Sequence, residues 1–276
     1  MDRQPLISVI IPTYNRTDFL CELIESLWRQ TYRHLQIIIV NDCGESVDFV
    51  KDLYPELDIT VVNMESNQKH VHARNKGLGF VSGEYIMLCD DDDLLLPGHV
   101  ERMLRELEDS DMVYSDVEIF DYELEAGVRR ATKRFVFAYE YNLAAMRRFS
   151  TFFSSGCVYR RALHERLGLF DVKMHHYWDW DFFLRTAEQY RVKRVPVASA
   201  LYAFAQSGSS NMSGDLEDMR PFLDKLAAKH GLGELPTKNF FLLLEEPEVK
   251  AREAQTELLW DGEPIVSRLA VRKKEA

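Results

Sequence analysis

The chain has 276 residues, of which 46% are hydrophobic, 12% aromatic and 29% charged, and its net charge is −11. This composition is ordinary for a globular protein, and the acidic balance argues against nonspecific binding to nucleic acid, because no basic excess is present to neutralise phosphates. The longest apolar runs are far below the roughly 18 residues of a membrane span, and the first residues lack a basic-then-apolar signal segment. The four cysteines are widely spaced without a C-x-x-C pair, so we expect reduced, mostly buried thiols in a cytoplasmic protein.

Strand-like and helix-like segments alternate over the first 115 residues. The predicted strands are short β-branched or apolar runs at 7–12, 35–42, 58–63, 84–90 and 111–120. Helices are predicted at 17–31, 71–83 and 97–110. The first has apolar residues at helical spacing, and the second is rich in small residues and ends at a glycine. Near-continuous apolar strands that alternate with helices predict an α/β fold with a mainly parallel sheet, flanked by helices on both faces.

The rest of the chain is less regular. Residues 116–160 show no clear period and carry a basic cluster at 129–137. The further predicted elements are a strand and helix within 152–171 that end near Gly168, a helix within 175–190, a strand at 194–204 and a flexible loop at 207–215. Residues 216–276 are charged and interrupted by prolines, and we expect them to form a helical C-terminal extension.

Four consecutive aspartates, Asp90 to Asp93, follow the fourth predicted strand. On an extended segment Asp90 and Asp92 would point to the same side, and paired carboxylates suit hard cations such as Mg²⁺ or Mn²⁺. A solvated acidic turn is the alternative. A calcium loop fits poorly because Leu95 stands where that loop needs glycine, and an aspartate-nucleophile phosphatase fits poorly because the run lies after strand four rather than near the N-terminus.

Polar residues follow three of the predicted strands. Thr13 and Tyr14 come after the first, Asp42 after the second and Asp90 after the fourth. An isolated aspartate in such a place is usually a turn residue or a helix cap. Because ligands bind beyond the carboxyl ends of parallel strands, several polar residues at successive strand ends predict one shared crevice.

The chain resembles the inverting glycosyltransferases of family 2, which have the GT-A (Rossmann-like) fold. The segments that carry the resemblance occur in the family's order over about residues 5–205: SVIIPTYNR (8–16), QIIIVND (36–42), ARNKGL (73–78), SGEYIMLCDDDDLLLP (82–97), GLFD (168–171) and WDWDFFLR (178–185). The resemblance implies a GT-A domain at 1–215, with a donor half at about 1–115 and an acceptor half at about 116–215. The helical extension at 216–276 follows it.

The same resemblance implies an activity and a set of residues. The activity is metal-dependent, inverting transfer of a sugar from a nucleoside-diphosphate donor, expected to be a UDP-sugar, to an acceptor hydroxyl in bacterial-type polysaccharide or glycoconjugate synthesis. The implied donor-binding residues are Pro12, Thr13, Tyr14, Asp42, Arg74, Asp90 and Asp91. Asp92 and Asp90 would bind Mn²⁺ or Mg²⁺. The acceptor would be a carbohydrate or a lipid-linked carbohydrate.

Two other functions stay open on the sequence. A binding module for nucleotide sugars would keep the donor half without transfer activity. A sugar nucleotidyltransferase would share the core and the metal aspartates, but it typically has a glycine-rich phosphate loop that PTYNRTDF (12–19) lacks. The intact Asp179 favours a transferase, because it aligns with the family's general base. Asp181 aligns with a later aspartate, for which a structural role such as a helix N-cap is expected.

The chain departs from the family at three places. Trp178 replaces a glutamate beside the base, and we expect it, with Tyr177 and Trp180, either to desolvate Asp179 and raise its pKa or to form a stacking platform for the acceptor. Lys69 replaces a glycine, and its side chain is hypothesised to reach the diphosphate. A histidine expected near position 203 is missing, for which Gln206 or His175 and His176 are candidate substitutes.

The C-terminal residues leave two further expectations. The extension would cover the acceptor side, form a homodimer or hold a partner enzyme. Its short basic tail, RLAVRKKEA (268–276), leaves attachment to the inner face of a membrane open.

Overall fold

A sheet of mainly parallel strands runs through the centre of the computed structural model, which describes residues 4–204 and 216–275. The strands of these residues are β1 Ile7–Thr13, β2 Leu35–Asn41, β3 Asp58–Asn63, β4 Tyr85–Leu88, β5 Leu94–Leu95, β6 Met112–Glu125, β7 Val128–Phe137, β8 Val158–Arg160, β9 Val192–Ala203 and β10 Glu257–Leu258. Their order across the sheet is β10-β9-β6-β8-β4-β1-β2-β3, with β5 paired to β9 and β7 paired to β6. Neighbouring strands of the main path are parallel except where β8 runs antiparallel between β4 and β6.

Helices cover both faces of the sheet. Their bounds are α1 Thr17–Trp28, α2 Val50–Leu53, α3 Lys69–Leu78, α4 His99–Glu106, α5 Leu143–Met146, α6 Ala162–Leu167, α7 Trp178–Ala187, α8 Leu216–His230, α9 Phe240–Leu244, α10 Pro247–Lys250 and α11 Arg268–Glu275. Because successive side chains of a strand point to opposite faces, β1 contributes to two cores. Val9 packs in a core with α1, α2 and α4, whereas Ile10 packs in a core with α3, α7 and α8. The predicted α/β class with a mainly parallel sheet is confirmed.

The basic cluster at 129–137 is where the structure departs most from the sequence prediction. It forms β7, which pairs with β6 as a long antiparallel hairpin. The connection is a two-residue turn at Ala126 and Gly127, and both residues have positive φ, as the favoured tight hairpin turns require. Within this cluster Arg129 is buried in an ion pair with Glu22, whereas Arg130, Lys133 and Arg134 are exposed.

The C-terminal extension is less helical than expected. Its helices α8 to α11 are separated by irregular segments, and β10 adds a parallel edge strand to β9. The last helix, α11, packs on α1, where Lys273 pairs with Asp18 at 2.6 Å. The predicted loop at 207–215 and Gln206 lie outside the described residues. The boundary between a domain at 1–215 and an extension at 216–276 stays a prediction.

The four cysteines are free in the structure, and three of them are buried, as the sequence predicted for most of them. Only Cys43 is exposed. None of the helices in the described ranges is both long and apolar enough to cross a membrane.

Candidate active site

The carboxyl ends of the parallel strands open into a cleft of about 320 Å³, here called the strand-end cleft. All the residues that the sequence assigns to donor and metal line it: Pro12, Thr13, Tyr14, Asp42, Arg74, Asp90, Asp91 and Asp92. A second space of about 230 Å³, here called the aromatic cavity, adjoins it. Its walls include the rings of Phe149, Phe152, Phe153, Tyr177, Trp178, Trp180, Tyr202 and Phe240. Asp179 lines the aromatic cavity, and Asp90 lines both spaces.

Asp42 follows β2 and is fixed by the segment that enters α3. Its two carboxylate oxygens accept the backbone N–H groups of Gln68 at 2.8 Å and Lys69 at 2.7 Å. The side chain is buried, yet it lines the strand-end cleft. These bonds leave lone pairs free, since each carboxylate oxygen can accept two hydrogen bonds. Asp42 is therefore a rigid acceptor facing the cleft.

The aspartate run forms a turn, so the expectation of an extended segment is wrong. The backbone N–H of Asp93 donates to the carbonyl of Asp90 at 3.2 Å and closes that turn. Asp90 and Asp92 are the partly exposed members, whereas Asp91 and Asp93 are buried. Asp90 and Asp92 are therefore the accessible pair, as the predicted alternation requires, although their side chains project from a turn and not from a strand. Thr13 at the end of β1 holds the turn in place, because its hydroxyl donates to Asp91 at 2.7 Å.

Arg16 neutralises part of this turn, and it is not among the site residues predicted from the sequence. Its guanidinium pairs with Asp92 at 2.7 Å and with Asp91 at 3.3 Å. Behind the turn, Arg129 of the β6–β7 hairpin donates to the carbonyl of Asp92 at 2.5 Å. Arg16 belongs to the SVIIPTYNR segment, which was the available signal. The contribution of Arg129 depends on the hairpin and had no local signal.

Arg74 lies between Asp90 and Trp178. Its guanidinium forms an ion pair with Asp90 and lies 4.0 Å from the centroid of the Trp178 ring. It also contacts the Nδ1 atom of His70 at 2.7 Å, and burial together with the charge of Arg74 lowers the pKa of His70 to about 2. His70 is thus neutral and accepts this hydrogen bond. Arg74 itself is 1% exposed, so its guanidinium is held in the interior of the protein rather than at its surface.

Trp178 and Trp180 are mostly enclosed, so neither is a free stacking platform. Trp178 packs against Arg74, and the indole N–H of Trp180 donates to the carbonyl of Met146 at 2.8 Å. Both rings line the aromatic cavity beside Asp179. Burial raises the pKa of Asp179 to about 6, and the charge of Asp90 adds to this rise, while the backbone N–H of Trp180 opposes it. The expected desolvation of Asp179 is therefore present.

Asp181 has a structural environment, but it is not an N-cap. The residue before α7 is Tyr177, and no side chain caps that helix. The Asp181 carboxylate is completely buried and pairs with Arg185 at 3.0 Å, Lys229 at 2.7 Å and His230 at 2.8 Å. The last two residues belong to α8. Asp181 therefore ties α7 to the C-terminal extension.

Three further residues line both spaces beside Asp90: His70, His175 and Tyr202. Tyr202 lies near the end of β9, and burial together with the charges of the surrounding aspartates raises the pKa of its hydroxyl. Its strand was predicted from the sequence but the tyrosine was not assigned to the site, although the strand-end rule applies to it as well. The rings of His70 and His175 are 4.6 Å apart, so the two histidines lie together where the two spaces adjoin.

The carboxylates suit a divalent cation that a ligand helps to bind. No group of three or more His, Cys, Asp or Glu side chains within residues 4–204 and 216–275 is arranged to hold a metal by itself. Asp90 and Asp92 offer accessible oxygens, and one oxygen of the buried Asp93 has no hydrogen-bond partner. Mg²⁺ and related ions are commonly held by one or two carboxylates together with substrate phosphates. The oxygen-rich turn fits that mode of binding.

Comparisons with known proteins agree with this geometry. Residues 8–168 match the family described as glycosyl transferase family 2. An uncharacterized glycosyltransferase of Bacillus subtilis, YwdF, is 57% identical over 264 residues, which are 95% of this chain and 98% of that protein. The putative teichuronic acid biosynthesis glycosyltransferase TuaG of the same organism is 37% identical over 106 residues, or 37% of this chain and 41% of TuaG.

Two solved structures show the same fold at low sequence identity. S. aureus TarS 1–349, in complex with UDP-GlcNAc, has a TM-score of 0.64 and 20% identity over 81% of this chain; the match spans 66% of that chain. The mannosyltransferase PcManGT of Pyrobaculum calidifontis, in complex with GDP-Man and Mn²⁺, has a TM-score of 0.56 and 17% identity over 91% of this chain and 83% of its own. With the family match and the full-length relative, the GT-A fold and the paired spaces identify the chain as a glycosyltransferase of family 2.

Proposed function

We propose that the protein transfers a sugar, with inversion, from a UDP-sugar to an acceptor hydroxyl in a metal-dependent reaction. The observation that carries the proposal is the place where the two spaces meet. The strand-end cleft and the aromatic cavity share Asp90, and Asp179 lines the cavity near enough for the charge of Asp90 to raise its pKa. A donor in the cleft and an acceptor in the cavity would bring their reacting atoms together beside Asp179.

The strand-end cleft is the proposed donor site. The fixed carboxylate of Asp42 can accept the imide N–H of a uracil base. Tyr14 lines the same cleft and is 47% exposed, so its ring is accessible to a bound donor. The solved complexes of related fold hold UDP-GlcNAc in one case and GDP-Man in the other, so both support a nucleoside-diphosphate sugar as the class of donor. We favour uracil because Asp42 matches the position that contacts the uracil base in members of the family.

Asp92 and Asp90 are the proposed ligands of Mn²⁺ or Mg²⁺. When bound, such a cation supplies positive charge that stabilises the diphosphate as it leaves. Arg16 is ion-paired with Asp92 and Asp91 in the structure, so these ion pairs would have to break when the donor and the cation bind. Its guanidinium would then be available to the diphosphate, for which a planar cation is well suited.

Asp179 is the proposed general base. With a pKa of about 6 it is mainly ionised at neutral pH and can accept the proton of the acceptor hydroxyl as that oxygen attacks the anomeric carbon. Attack from the side opposite the leaving diphosphate gives inversion. Direct displacement needs no second carboxylate as nucleophile, so the loss of the family's glutamate at Trp178 is compatible with this chemistry.

The aromatic cavity is the proposed acceptor site. Its half-buried rings, such as Phe153 and Tyr177, offer apolar faces for sugar rings, and residues of the C-terminal extension, among them Leu223 and Phe240, complete its wall. This supports a carbohydrate or lipid-linked carbohydrate as acceptor. The likeness to TuaG, named for teichuronic acid biosynthesis, supports a role in bacterial polysaccharide synthesis.

The test is the release of nucleoside diphosphate from a panel of UDP-sugars and GDP-mannose, with Mn²⁺, Mg²⁺ or EDTA. We expect release from at least one UDP-sugar, stimulated by Mn²⁺ or Mg²⁺ and abolished by EDTA. A preference for GDP-mannose would contradict the assignment of uracil to Asp42. Turnover that EDTA leaves unchanged would contradict the metal role of Asp90 and Asp92.

A further inference from the structure

Lys69, the first residue of α3, has an unusual backbone conformation. Its φ is +73°, in the left-handed region that glycine adopts without strain and that a residue with a Cβ atom adopts at a cost in free energy. Among the described residues, Asn15, Cys43 and Ala126 are the other non-glycine residues with positive φ. Ala126 belongs to a hairpin turn, where such a conformation is expected. Lys69 belongs to no hairpin, so its conformation needs another explanation.

Asp42 holds Lys69 in this conformation. One carboxylate oxygen of Asp42 accepts the backbone N–H of Gln68, and the other accepts that of Lys69. The backbone of Lys69 is therefore fixed by Asp42, the residue proposed to bind the uracil base. Since the backbone fixes the direction of the Cα–Cβ bond, it also limits where the lysine side chain can go.

The Lys69 side chain lines the strand-end cleft and is exposed. Arg16 and Arg74 line the same cleft, but each is paired with aspartates of the Asp90–Asp93 turn. The ammonium group of Lys69 has no hydrogen bond or ion pair to any residue in the described ranges. It is thus a cation in the cleft that is available to a ligand. His175, which also lines the cleft, is close enough for the Lys69 charge to help lower its pKa, after the larger effect of burial.

We propose that Lys69 binds the diphosphate of the nucleotide-sugar donor. The diphosphate would lie between the uracil base at Asp42 and the metal at Asp90 and Asp92. The proposal rests on the proposed function of the cleft. The cleft carries several carboxylates, which repel a diphosphate, and an ammonium group is a compact cation suited to a phosphate. Glycine would remove the backbone strain but also the charge. The lysine therefore trades some stability of the fold for binding of the donor.

Lys69→Gly separates these two effects because they have opposite signs. We expect its Tm to equal or exceed that of the wild type, since the left-handed conformation suits glycine. We expect its Kd for UDP with Mn²⁺, measured by titration calorimetry, to rise at least about tenfold, the lower end of the usual scale for losing one hydrogen bond to a charged group. The dependence of that Kd on NaCl should become shallower. Lys69→Arg should keep the Kd within about threefold, because the positive charge remains.

Two matched variants control for strain and for charge. Ala126→Gly relieves a left-handed residue outside the cleft, and Lys76→Ala removes an exposed charge on the same helix; both should bind UDP as the wild type does. If the wild type binds UDP and Lys69→Gly binds it with the same affinity and salt dependence, the role of Lys69 is overturned while the proposed function stands. If the wild type binds neither UDP nor GDP, the proposed function is contradicted, and the role of Lys69, which depends on it, is contradicted as well.

Discussion

At the scale of single residues, Trp178 shows how the site works without the family's usual glutamate. An acidic side chain there would add another negative charge beside Asp90 and Asp179. Tryptophan instead places the face of its ring 4.0 Å from the Arg74 guanidinium and leaves Asp90 as the carboxylate that pairs with that cation. A cation over an indole ring is favoured by about 0.5–2 kcal/mol, depending on how far it is desolvated. Trp178 is thus a positioning residue for Arg74 and Asp90.

Trp178→Ala should therefore damage both stability and donor binding. Removing a buried tryptophan commonly lowers the free energy of unfolding by about 3–5 kcal/mol, and Arg74 would lose its packing partner. We expect a higher Kd for UDP in whatever fraction remains folded. Trp178→Phe keeps a ring and should retain most of the donor affinity, measured by calorimetry beside urea unfolding. Equal UDP binding by the alanine variant would show that Arg74 is held without the ring.

Asp179 should give the reaction an acid limb near pH 6. Burial and the charge of Asp90 raise its pKa to about 6, and only the ionised form can accept a proton. The transfer rate should fall about tenfold per pH unit well below this pKa and level off about one unit above it. The pH profile of kcat measures this directly, with Tm recorded at each pH as a control for unfolding. A rate that stays constant down to about one pH unit below the pKa would be inconsistent with Asp179 as the base.

At the scale of secondary-structure elements, local sequence pattern predicted the strands that pack on both faces. β1 to β4 are short apolar runs, and such a run indicates a buried strand without reference to the rest of the chain. The parallel sheet, and the polar side chains at the ends of its strands, could therefore be predicted from the sequence. The β6–β7 hairpin was missed because its residues are stabilised by distant partners, as Arg129 is by Glu22. The bend at Asp90–Asp93 was missed for the same reason, since Thr13, Arg16 and Arg129 hold it. Residue types at the site were thus predictable, whereas their side-chain partners required the tertiary structure.

The contact of α3 with the sheet can be tested at Gly77. A Cβ atom there would lie 2.8 Å from a side-chain carbon of Ile10 and 3.2 Å from one of Val40, so this glycine lets α3 approach β1 and β2 closely. Gly77→Val should lower the free energy of unfolding by about 1–3 kcal/mol through overpacking. It should also weaken UDP binding, because Arg74 lies one turn earlier on the same helix. His72→Ala, at an exposed position of α3, should change neither quantity by more than about 0.5 kcal/mol in urea unfolding and UDP titration.

At the scale of the whole molecule, the C-terminal extension completes the aromatic cavity rather than hanging from the domain. Asp181 fastens α7 to α8 through Lys229 and His230, and β10 continues the central sheet beside β9. The extension therefore lines the space proposed for the acceptor, and its role in covering the acceptor side stays a prediction from the sequence. A homodimer through these helices and a location at the inner face of a membrane stay predictions from the sequence.

Asp181→Asn should loosen this connection. Breaking a buried charge cluster typically costs about 3–5 kcal/mol, whereas Asp224→Asn, which breaks an exposed pair with Arg220 on α8, should leave the free energy of unfolding nearly unchanged. Although burial opposes it, the hydrogen bonds from His230 and Lys229 hold the pKa of Asp181 below its usual range. The stabilisation is thus fully present above the unfolded pKa of about 3.9 and is lost as the pH falls through the lower folded pKa. Urea unfolding at about pH 7 and about pH 3 should show a smaller difference between wild type and Asp181→Asn at the lower pH.

The most direct test of the central assignment is the comparison of wild type with Asp179→Asn in donor turnover and in UDP binding. The exchange is nearly isosteric, and Asp179 lines the aromatic cavity rather than the strand-end cleft. We predict that the Kd for UDP with Mn²⁺ stays within about twofold, while release of nucleoside diphosphate falls about 10²–10⁴-fold, the usual contribution of a general base. Turnover at the wild-type rate by a folded Asp179→Asn protein would contradict the role of Asp179 as the base.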